Sequence, residues 1–283
     1  MKLSGLLKTI IKFYGSILRN RPTSEMLITE SLRGDAISNR VNGPFEKITF
    51  RGFSQSDEDG LLAEIVRIIG GPHQKKFIEC GVGDGTENNS LLLLLSGWEG
   101  VWYGGEKLSL ELNPSVPLKF DRQWIDIRNV ESLMFAALEY LQIADSKQLD
   151  VFSLDLDGND YHLCKNLLSN DFRPQIWIQE YNAVFGPHVE WIMPYNNSHV
   201  WGRDNFFGAS FKSYCNLFAE FGYRAVVCSA TGANIFFVRE DLNFPFVDLP
   251  DEQVIWSRPN YNLTQNGHPT SKRILHGYQR LSI

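Results

Sequence analysis

The 283-residue sequence has few cysteines, no excess of positive charge and no uninterrupted hydrophobic run long enough for a membrane span. Its four cysteines never occur at C-x-x-C spacing, so neither a disulfide framework nor a zinc site is expected. The net charge of -6 excludes a general electrostatic attraction to nucleic acid. Scattered, unpaired cysteines are typical of a reducing compartment. These features predict a cytoplasmic protein without a nucleic-acid partner.

The rest of the composition is that of a folded protein with a substantial core. Apolar residues make up 43% of the chain, which argues against disorder. The pattern of the sequence predicts three parts. Residues 1–45 form an N-terminal amphipathic helix and linker, residues 46–245 form the main domain, and residues 246–283 form a C-terminal extension.

The N-terminal segment has apolar residues at helical spacing from Leu3 to Leu18. Lys8 and Lys12 interrupt the run, so it is neither a spanning helix nor a good signal peptide. Such a helix either lies on an anionic membrane surface or packs on its own domain or a partner subunit. The packed helix is the preferred interpretation. A peripheral contact of residues 1–21 with the inner face of a membrane and a homo-oligomer stay open as alternatives.

Strands and helices alternate along the main domain. Short apolar stretches predict strands, and apolar residues at every third or fourth position predict helices. This alternation predicts an α/β, Rossmann-like fold: a mainly parallel sheet with helices on both faces and an antiparallel hairpin at one edge. Strands are predicted over 76–80, 100–104, 123–127, 150–155, 176–180, 223–229 and 234–238, and helices over 56–69, 88–95, 130–143, 161–168 and 211–221.

The first predicted strand runs into a glycine-rich loop that is a candidate cofactor site. Residues 79–85 read E-x-G-x-G-x-G, and glycines let a backbone turn tightly and approach a ligand closely. A dinucleotide fingerprint would need glycine where Thr86 stands. Carboxylates also crowd the loop, which disfavours pyrophosphate and suits the cationic sulfonium of S-adenosylmethionine. The loop residues expected at the cofactor are Glu79, Gly81, Gly83, Asp84 and Gly85.

Two later carboxylates extend this prediction. Glu106 ends the second strand, where a carboxylate can accept two hydrogen bonds from ribose hydroxyls. Asp126 lies in the third predicted strand, near its end, and is a weaker candidate for the adenine amine.

Acidic clusters follow the fourth and fifth predicted strands. Asp155 and Asp157 leave one strand, and Glu180 and Asn182 leave the next. Three explanations stay open: a magnesium site formed by these four residues, metal-free general-base catalysis by Asp157 or Glu180, and structural capping of backbone amides. Asp155 is also expected near the cofactor. His162 and His188 are alternative bases of lower rank.

Aromatic residues crowd the segment between the fifth strand and the next helix. They predict either core packing or a wall on which a sugar could stack. Arg203 and His199 are candidates for contact with an anionic acceptor. The aromatic residues concerned are Trp191, Tyr195, Trp201, Phe206 and Phe207.

Several stretches together resemble FkbM-type S-adenosylmethionine-dependent methyltransferases. The resemblance implies a class I methyltransferase domain over 46–245 and O-methylation, often of sugars in glycans or natural products. It also implies cofactor contacts from Glu79, Gly81, Gly83 and Glu106. The sequence departs from the commoner pattern at Gly104-Gly-Glu106, which replaces a shorter acidic-proline turn. The stretches are 53–60, 77–85, 153–161, 180–182, 207–210, 221–223 and 234–239.

The sequence therefore predicts an enzyme that transfers a methyl group from S-adenosylmethionine to a hydroxyl of a sugar or glycan. Asp157, Glu180, Asn182 and His162 are its candidate catalytic residues. One alternative is a non-catalytic Rossmann-like module that binds a nucleotide. A nicotinamide-dependent oxidoreductase is a further alternative, which Thr86 disfavours.

Overall fold

The computed structural model describes residues 52–109, 112, 115–242 and 255–260, together with residues 44, 45, 48, 50 and 246. The predicted N-terminal helix lies outside the described residues, as does most of the predicted C-terminal extension. Among the helices of the described part, none combines the length and apolar character that crossing a membrane requires.

Seven strands and five α-helices alternate along the described chain. The helices are α1 (Glu58–Ile68), α2 (Leu91–Leu95), α3 (Val130–Tyr140), α4 (Asp160–Ser169) and α5 (Phe211–Glu220), with a short 3-10 helix at Ser146–Gln148. The strands are β1 (Lys76–Cys80), β2 (Glu99–Gly104), β3 (Leu118–Arg122), β4 (Val151–Leu154), β5 (Ile176–Glu180), β6 (Tyr223–Cys228) and β7 (Asn234–Arg239).

All seven strands form one sheet in the order β3-β2-β1-β4-β5-β7-β6. The first five strands are parallel to one another, whereas β7 is antiparallel to both β5 and β6. This arrangement confirms the predicted Rossmann-like, class I methyltransferase fold with an antiparallel hairpin at one edge.

Each face of the sheet is covered by its own hydrophobic core. Side chains alternate along a strand, so Phe77 and Ile78 of β1 enter opposite cores. Apolar residues of α3, α4 and α5 pack on one face, and those of α1 and α2 pack on the other. The predicted three-layer arrangement, with helices on both faces, is therefore confirmed.

The third strand lies earlier in the chain than predicted. Residues 118–122 pair with β2, whereas the predicted 123–127 form no strand. The apolar pair Trp124-Ile125 suggested the wrong position, although the alternation in Leu-Lys-Phe-Asp-Arg is itself a strand pattern. Because β3 is an edge strand, its partly buried pattern is weaker than that of the central strands.

The strand order places a crevice at the carboxyl end of β1. From β1 the chain proceeds to β2 and β3 on one side, and β4 and β5 lie on the other. The connections therefore leave β1 and β4 in opposite directions, and their loops separate. Ligands of open α/β sheets bind at such a switch point.

Candidate functional site

A cleft occupies this switch point. Two cavities of 290 and 390 Å³ lie beside each other and share six lining residues, so they are two halves of one space. Their sizes fall at the lower end of the range of small-ligand sites, roughly 300–1,000 Å³. The shared residues are Gly81, Gly83, Glu106, Asp155, Asp157 and Trp201.

Gly81 begins the loop after β1 and can only be glycine there. Its φ of +96° is disfavoured for other residues. A Cβ at this position would lie 1.5 Å from the carbonyl oxygen of Asp155. The amide of Asp155 donates to the carbonyl of Cys80 at 3.0 Å, so the ends of β1 and β4 are joined just below this contact. Gly81 thereby forms the floor of the cleft.

Asp84 closes the rest of the glycine loop. Its carboxylate accepts hydrogen bonds from the Thr86 amide at 3.0 Å and hydroxyl at 2.6 Å, and from the Ser109 hydroxyl at 2.8 Å. The Thr86 hydroxyl bond is the main reason that the pKa of Asp84 is lowered. Gly83 and Gly85 both have positive φ, which lets the chain turn around this carboxylate. Asp84 thus ties the loop after β1 to the loop after β2.

Glu79 is predicted to contact the cofactor, but in the structure its carboxylate is hydrogen-bonded within the protein. Its buried carboxylate accepts hydrogen bonds from the amides of Asn89 and Ser90, at 2.9 and 3.0 Å, and from the Ser90 hydroxyl. Burial raises the pKa of Glu79, and these hydrogen bonds oppose the rise. Glu79 holds the start of α2 and is not among the residues that line the cleft.

The two predicted nucleoside contacts differ in their placement. Glu106 is exposed and lines both halves of the cleft, as the ribose prediction requires. Asp126 is buried against Arg128, whose side-chain hydrogen bond lowers the pKa of this carboxyl. Asp126 lines neither cavity, whereas its neighbours Trp124 and Ile125 do.

Three of the predicted acidic residues converge in the cleft. Asp155, Asp157 and Glu180 are partly buried, and one oxygen from each lies within 4.8 Å of the others. The Oε2 atom of Glu180 is buried without a hydrogen-bond partner. We call these three residues the carboxylate triad. Parallel strands bring them together because their carboxyl ends meet at one edge of the sheet.

Burial perturbs all three carboxyl groups in the same direction. It raises the pKa values of Asp155 and Glu180 well above their usual range, and the charges of the other triad members add to the rise. The interaction between these two groups raises the pKa of Glu180 further and partly offsets the rise in the pKa of Asp155. Burial, and then the charge of Asp160, raise the pKa of Asp157 to about 6. Such values are typical of sites that bind a cation or move a proton.

Asp160 organises the triad, a role that the sequence analysis missed. Its buried carboxylate accepts the amides of Leu156 and Gly158, both at 2.8 Å. These bonds flank Asp157, whose φ of +53° is left-handed. The position of Asp160 at the first residue of α4 was the available signal, since aspartate is favoured where helix amides lack partners.

Two predicted catalytic residues are engaged elsewhere. Asn182 is buried, and its amide nitrogen donates to the carbonyls of Asn205 at 2.8 Å and Phe207 at 3.2 Å. It therefore fixes the long segment after β5 and is not part of the triad. A ring nitrogen of His162 lies 2.7 Å from the carbonyl of Met193, and neither His162 nor His188 lines the cleft.

The segment after β5 builds the wall of the cleft. Trp201 and Phe207 line it and contact each other edge to face, with ring centroids 6.5 Å apart. His199 lines the second half, where a ring nitrogen lies 3.2 Å from the carbonyl of Asp157. Gln55 enters from the loop before α1. The sequence contained Gln55 within the family-like stretch 53–60 but gave no signal for its role.

Sequence comparison adds no family assignment, because no protein-family model and no curated protein matches the chain. Among solved structures, one similar chain is described as the structure of the mitomycin 7-O-methyltransferase MmcR. It is 12% identical, with a TM-score of 0.27, and the alignment covers 77% of this chain and 69% of that one. A likeness of this size carries no argument about activity, so the fold rests on the strand order itself.

Proposed function

We propose that the protein is an S-adenosylmethionine-dependent O-methyltransferase that acts on a hydroxyl of a sugar or glycan. The observation that carries the proposal is the cleft at the switch point, which is lined by both the glycine loop and the carboxylate triad. The cofactor's adenosine would extend toward Glu106 and Trp124, and its sulfonium would face the triad. An acidic cleft suits this cation.

The resemblance to FkbM-type methyltransferases supports the choice of chemistry. The stretches that carry it surround the site. Asp57 in the first stretch accepts the amide of Ala230 at 2.9 Å, and the amide of Asn234 lies 3.4 Å from Glu58. Phe207, Asp155 and Glu180 lie in three other such stretches and line the cleft. Distant parts of the family-like sequence therefore meet around one space.

Asp157 and Glu180 are the proposed catalytic residues. A carboxylate with a raised pKa can accept a proton from an acceptor hydroxyl at neutral pH, and general-base catalysis contributes about 10²–10⁴-fold. Asp157, with a pKa of about 6, is ionised at neutral pH and is the better base. Asp155 and Glu180 would orient the hydroxyl. Most of the acceleration would come from aligning oxygen, carbon and sulfur.

A divalent metal is compatible with the same residues. The triad offers three carboxylate oxygens within 4.8 Å of one another, and the buried Oε2 of Glu180 lacks a partner. Oxygen donors of this kind suit magnesium. Asp155, Asp157 and Glu180 would hold the ion, while Oδ1 of Asn182, the atom that could bind a metal, accepts the Val184 amide at 3.3 Å. A bound magnesium ion would lower the pKa of an acceptor hydroxyl.

Calorimetric titration with S-adenosylhomocysteine tests the proposal, with magnesium in one series and EDTA in another. We expect micromolar binding in at least one series. An affinity or a later turnover that depends on magnesium would favour the metal over the metal-free base. Absence of binding in both series would refute the proposal and leave a Rossmann-like binding module as the better account.

Substitution of the triad separates chemistry from cofactor binding. Asp157→Asn and Glu180→Gln should each lower methyl transfer about 100-fold or more, because the first removes the base and the second removes a carboxylate that orients the reacting hydroxyl. Their affinities for S-adenosylhomocysteine should stay close to that of the original protein. An equal loss of cofactor binding in both variants would contradict this division of roles.

A further inference from the structure

One half of the cleft is lined by Gln55, Glu180 and Phe207, and we call it the acceptor half. Its negative charge is not offset by any basic residue of the described chain. Asp155, Asp157 and Glu180 make no ion pair within the described residues, and no lysine or arginine among those residues lines either cavity. Arg122 and Arg128, which follow the neighbouring edge strand, are already bonded to the Gly105 carbonyl and to Asp126.

The cofactor alone does not balance this charge. S-adenosylmethionine carries a single net positive charge, and the cleft is lined by Glu106 in addition to the three carboxylates of the triad. Carboxylates gathered in a partly buried space are costly without a further cation. The buried, unpartnered Oε2 of Glu180 marks where a hydrogen-bond donor is missing.

The walls of this half suit an organic cation. Trp201 and Phe207 present aromatic surface beside Glu180, and Gln55 and Ala233 complete the lining. A cation gains from an aromatic face in addition to a carboxylate, and the C–H surface of a sugar packs well against such rings. An anionic acceptor would meet the three carboxylates of the triad there. His199 lines the other half of the cleft, and its contact with an acceptor stays a prediction. Arg203 does not line the cleft.

We propose that the acceptor is an amine-bearing alcohol such as an amino sugar, whose ammonium group binds Glu180 and Asp157 beneath Trp201 while a neighbouring hydroxyl faces the cofactor. This inference rests on the proposed function for the identity of the cleft. It excludes phosphorylated and uronic-acid acceptors, because the carboxylates that favour an ammonium group repel a phosphate or a carboxylate.

A set of matched glucosides tests the charge preference apart from turnover. The protein saturated with S-adenosylhomocysteine is titrated, in EDTA, with methyl glucosaminide, methyl glucoside, methyl N-acetylglucosaminide and methyl glucuronide. The glucosaminide should bind about tenfold more tightly than the neutral glucosides, because a hydrogen bond to a charged group is stronger than a neutral one. The glucuronide should bind most weakly.

Variants locate the preference within the cleft. Glu180→Gln and Asp157→Asn should each reduce the preference for the amine severalfold, whereas Glu139→Gln on the exposed side of α3 should leave it unchanged. Equal binding of the glucosaminide and the neutral glucosides would overturn the inference, as would a preference that persists in both triad variants.

The outcomes separate this inference from the proposed function. If S-adenosylhomocysteine binds but the protein shows no preference for the amine, the proposed methyltransferase function stands and the inference of an amine-bearing acceptor is overturned. If S-adenosylhomocysteine does not bind, the proposed function fails. The glucoside series is then measured on the cofactor-free protein, where the presence or loss of the amine preference supports or overturns the cationic subsite by itself.

Discussion

Replacement of Gly81 by alanine should destabilise the protein and the cleft more than alanine at Gly83 or Gly105, two other glycines that line the cleft. An alanine at φ +96° costs about 1–2 kcal/mol, because left-handed backbone is unfavourable for a residue with a Cβ. The new Cβ would also lie 1.5 Å from the carbonyl oxygen of Asp155. Relieving that overlap separates β1 from β4 and adds about 1–3 kcal/mol.

Two other glycines of the cleft separate the cost of the left-handed backbone from the cost of the steric overlap. Gly83 has a φ of +52° and open space around its Cβ position, so alanine should cost about 1 kcal/mol from the backbone alone. Gly105 also has open space and does not have positive φ, so alanine there should change stability by less than about 0.5 kcal/mol.

Urea unfolding and cofactor titration check this series. We expect Gly81→Ala to lose about 2–5 kcal/mol in the free energy of unfolding and to bind S-adenosylhomocysteine weakly or not at all. Gly105→Ala should bind it nearly as the original protein does. If alanine at Gly81 is no more destabilising than alanine at Gly83, the contact with Asp155 does not constrain the loop and the reasoning is wrong.

Three further predictions concern carboxylates. Glu79→Gln should lower the free energy of unfolding by about 2 kcal/mol, because an amide oxygen cannot accept all the hydrogen bonds donated at the start of α2. Its affinity for S-adenosylhomocysteine should stay nearly unchanged. A stable variant that loses binding would instead support the predicted ligand contact. Glu106→Gln should weaken binding about tenfold without changing stability, since the side chain is exposed in the cleft; an unaltered affinity measured by calorimetry would argue against the ribose role. Because folding raises the pKa of Asp157 from 3.8 to about 6, its contribution to stability falls as pH rises through this window. Asp157→Asn should therefore be about 3 kcal/mol more stable than the original protein at neutral pH, with no advantage below about pH 4 in unfolding curves measured across pH.

Local patterns in the sequence determined the elements of the fold. The apolar stretches at 76–80 and 176–180 became β1 and β5 at the predicted bounds, because a short buried strand leaves an unambiguous apolar run. The helix over 88–95 proved shorter, since only Leu91–Leu95 is helical and residues before it hold Glu79. The edge strand β3 was misplaced because only one residue of its pattern is buried.

The strand ends also predicted part of the site. Residues that follow parallel strands meet at one edge of a sheet, so the sequence correctly brought Asp155, Asp157 and Glu180 together. The glycine at position 81 was likewise readable, since a strand that turns directly into a ligand loop favours a residue without Cβ. These inferences needed only the order of the elements along the chain.

The direction of each side chain was decided by tertiary packing alone. Glu79 belongs to the glycine motif, but the amides at the start of α2 turn its carboxylate away from the cleft. Asn182 follows β5 next to the triad, yet the carbonyls of Asn205 and Phe207 bind its amide. Asp160 influences the triad through hydrogen bonds to residues within its own loop. Gln55 reaches the cleft although it lies more than 100 residues from Glu180 in the chain.

The sequence by itself thus determined which strand-end groups lie near the cleft, because the order of the elements along the chain and the spacing of apolar residues are local properties. Only the packed structure decided which of those groups face the ligand space, because a side chain turns toward whichever partner the folded chain brings within hydrogen-bond distance.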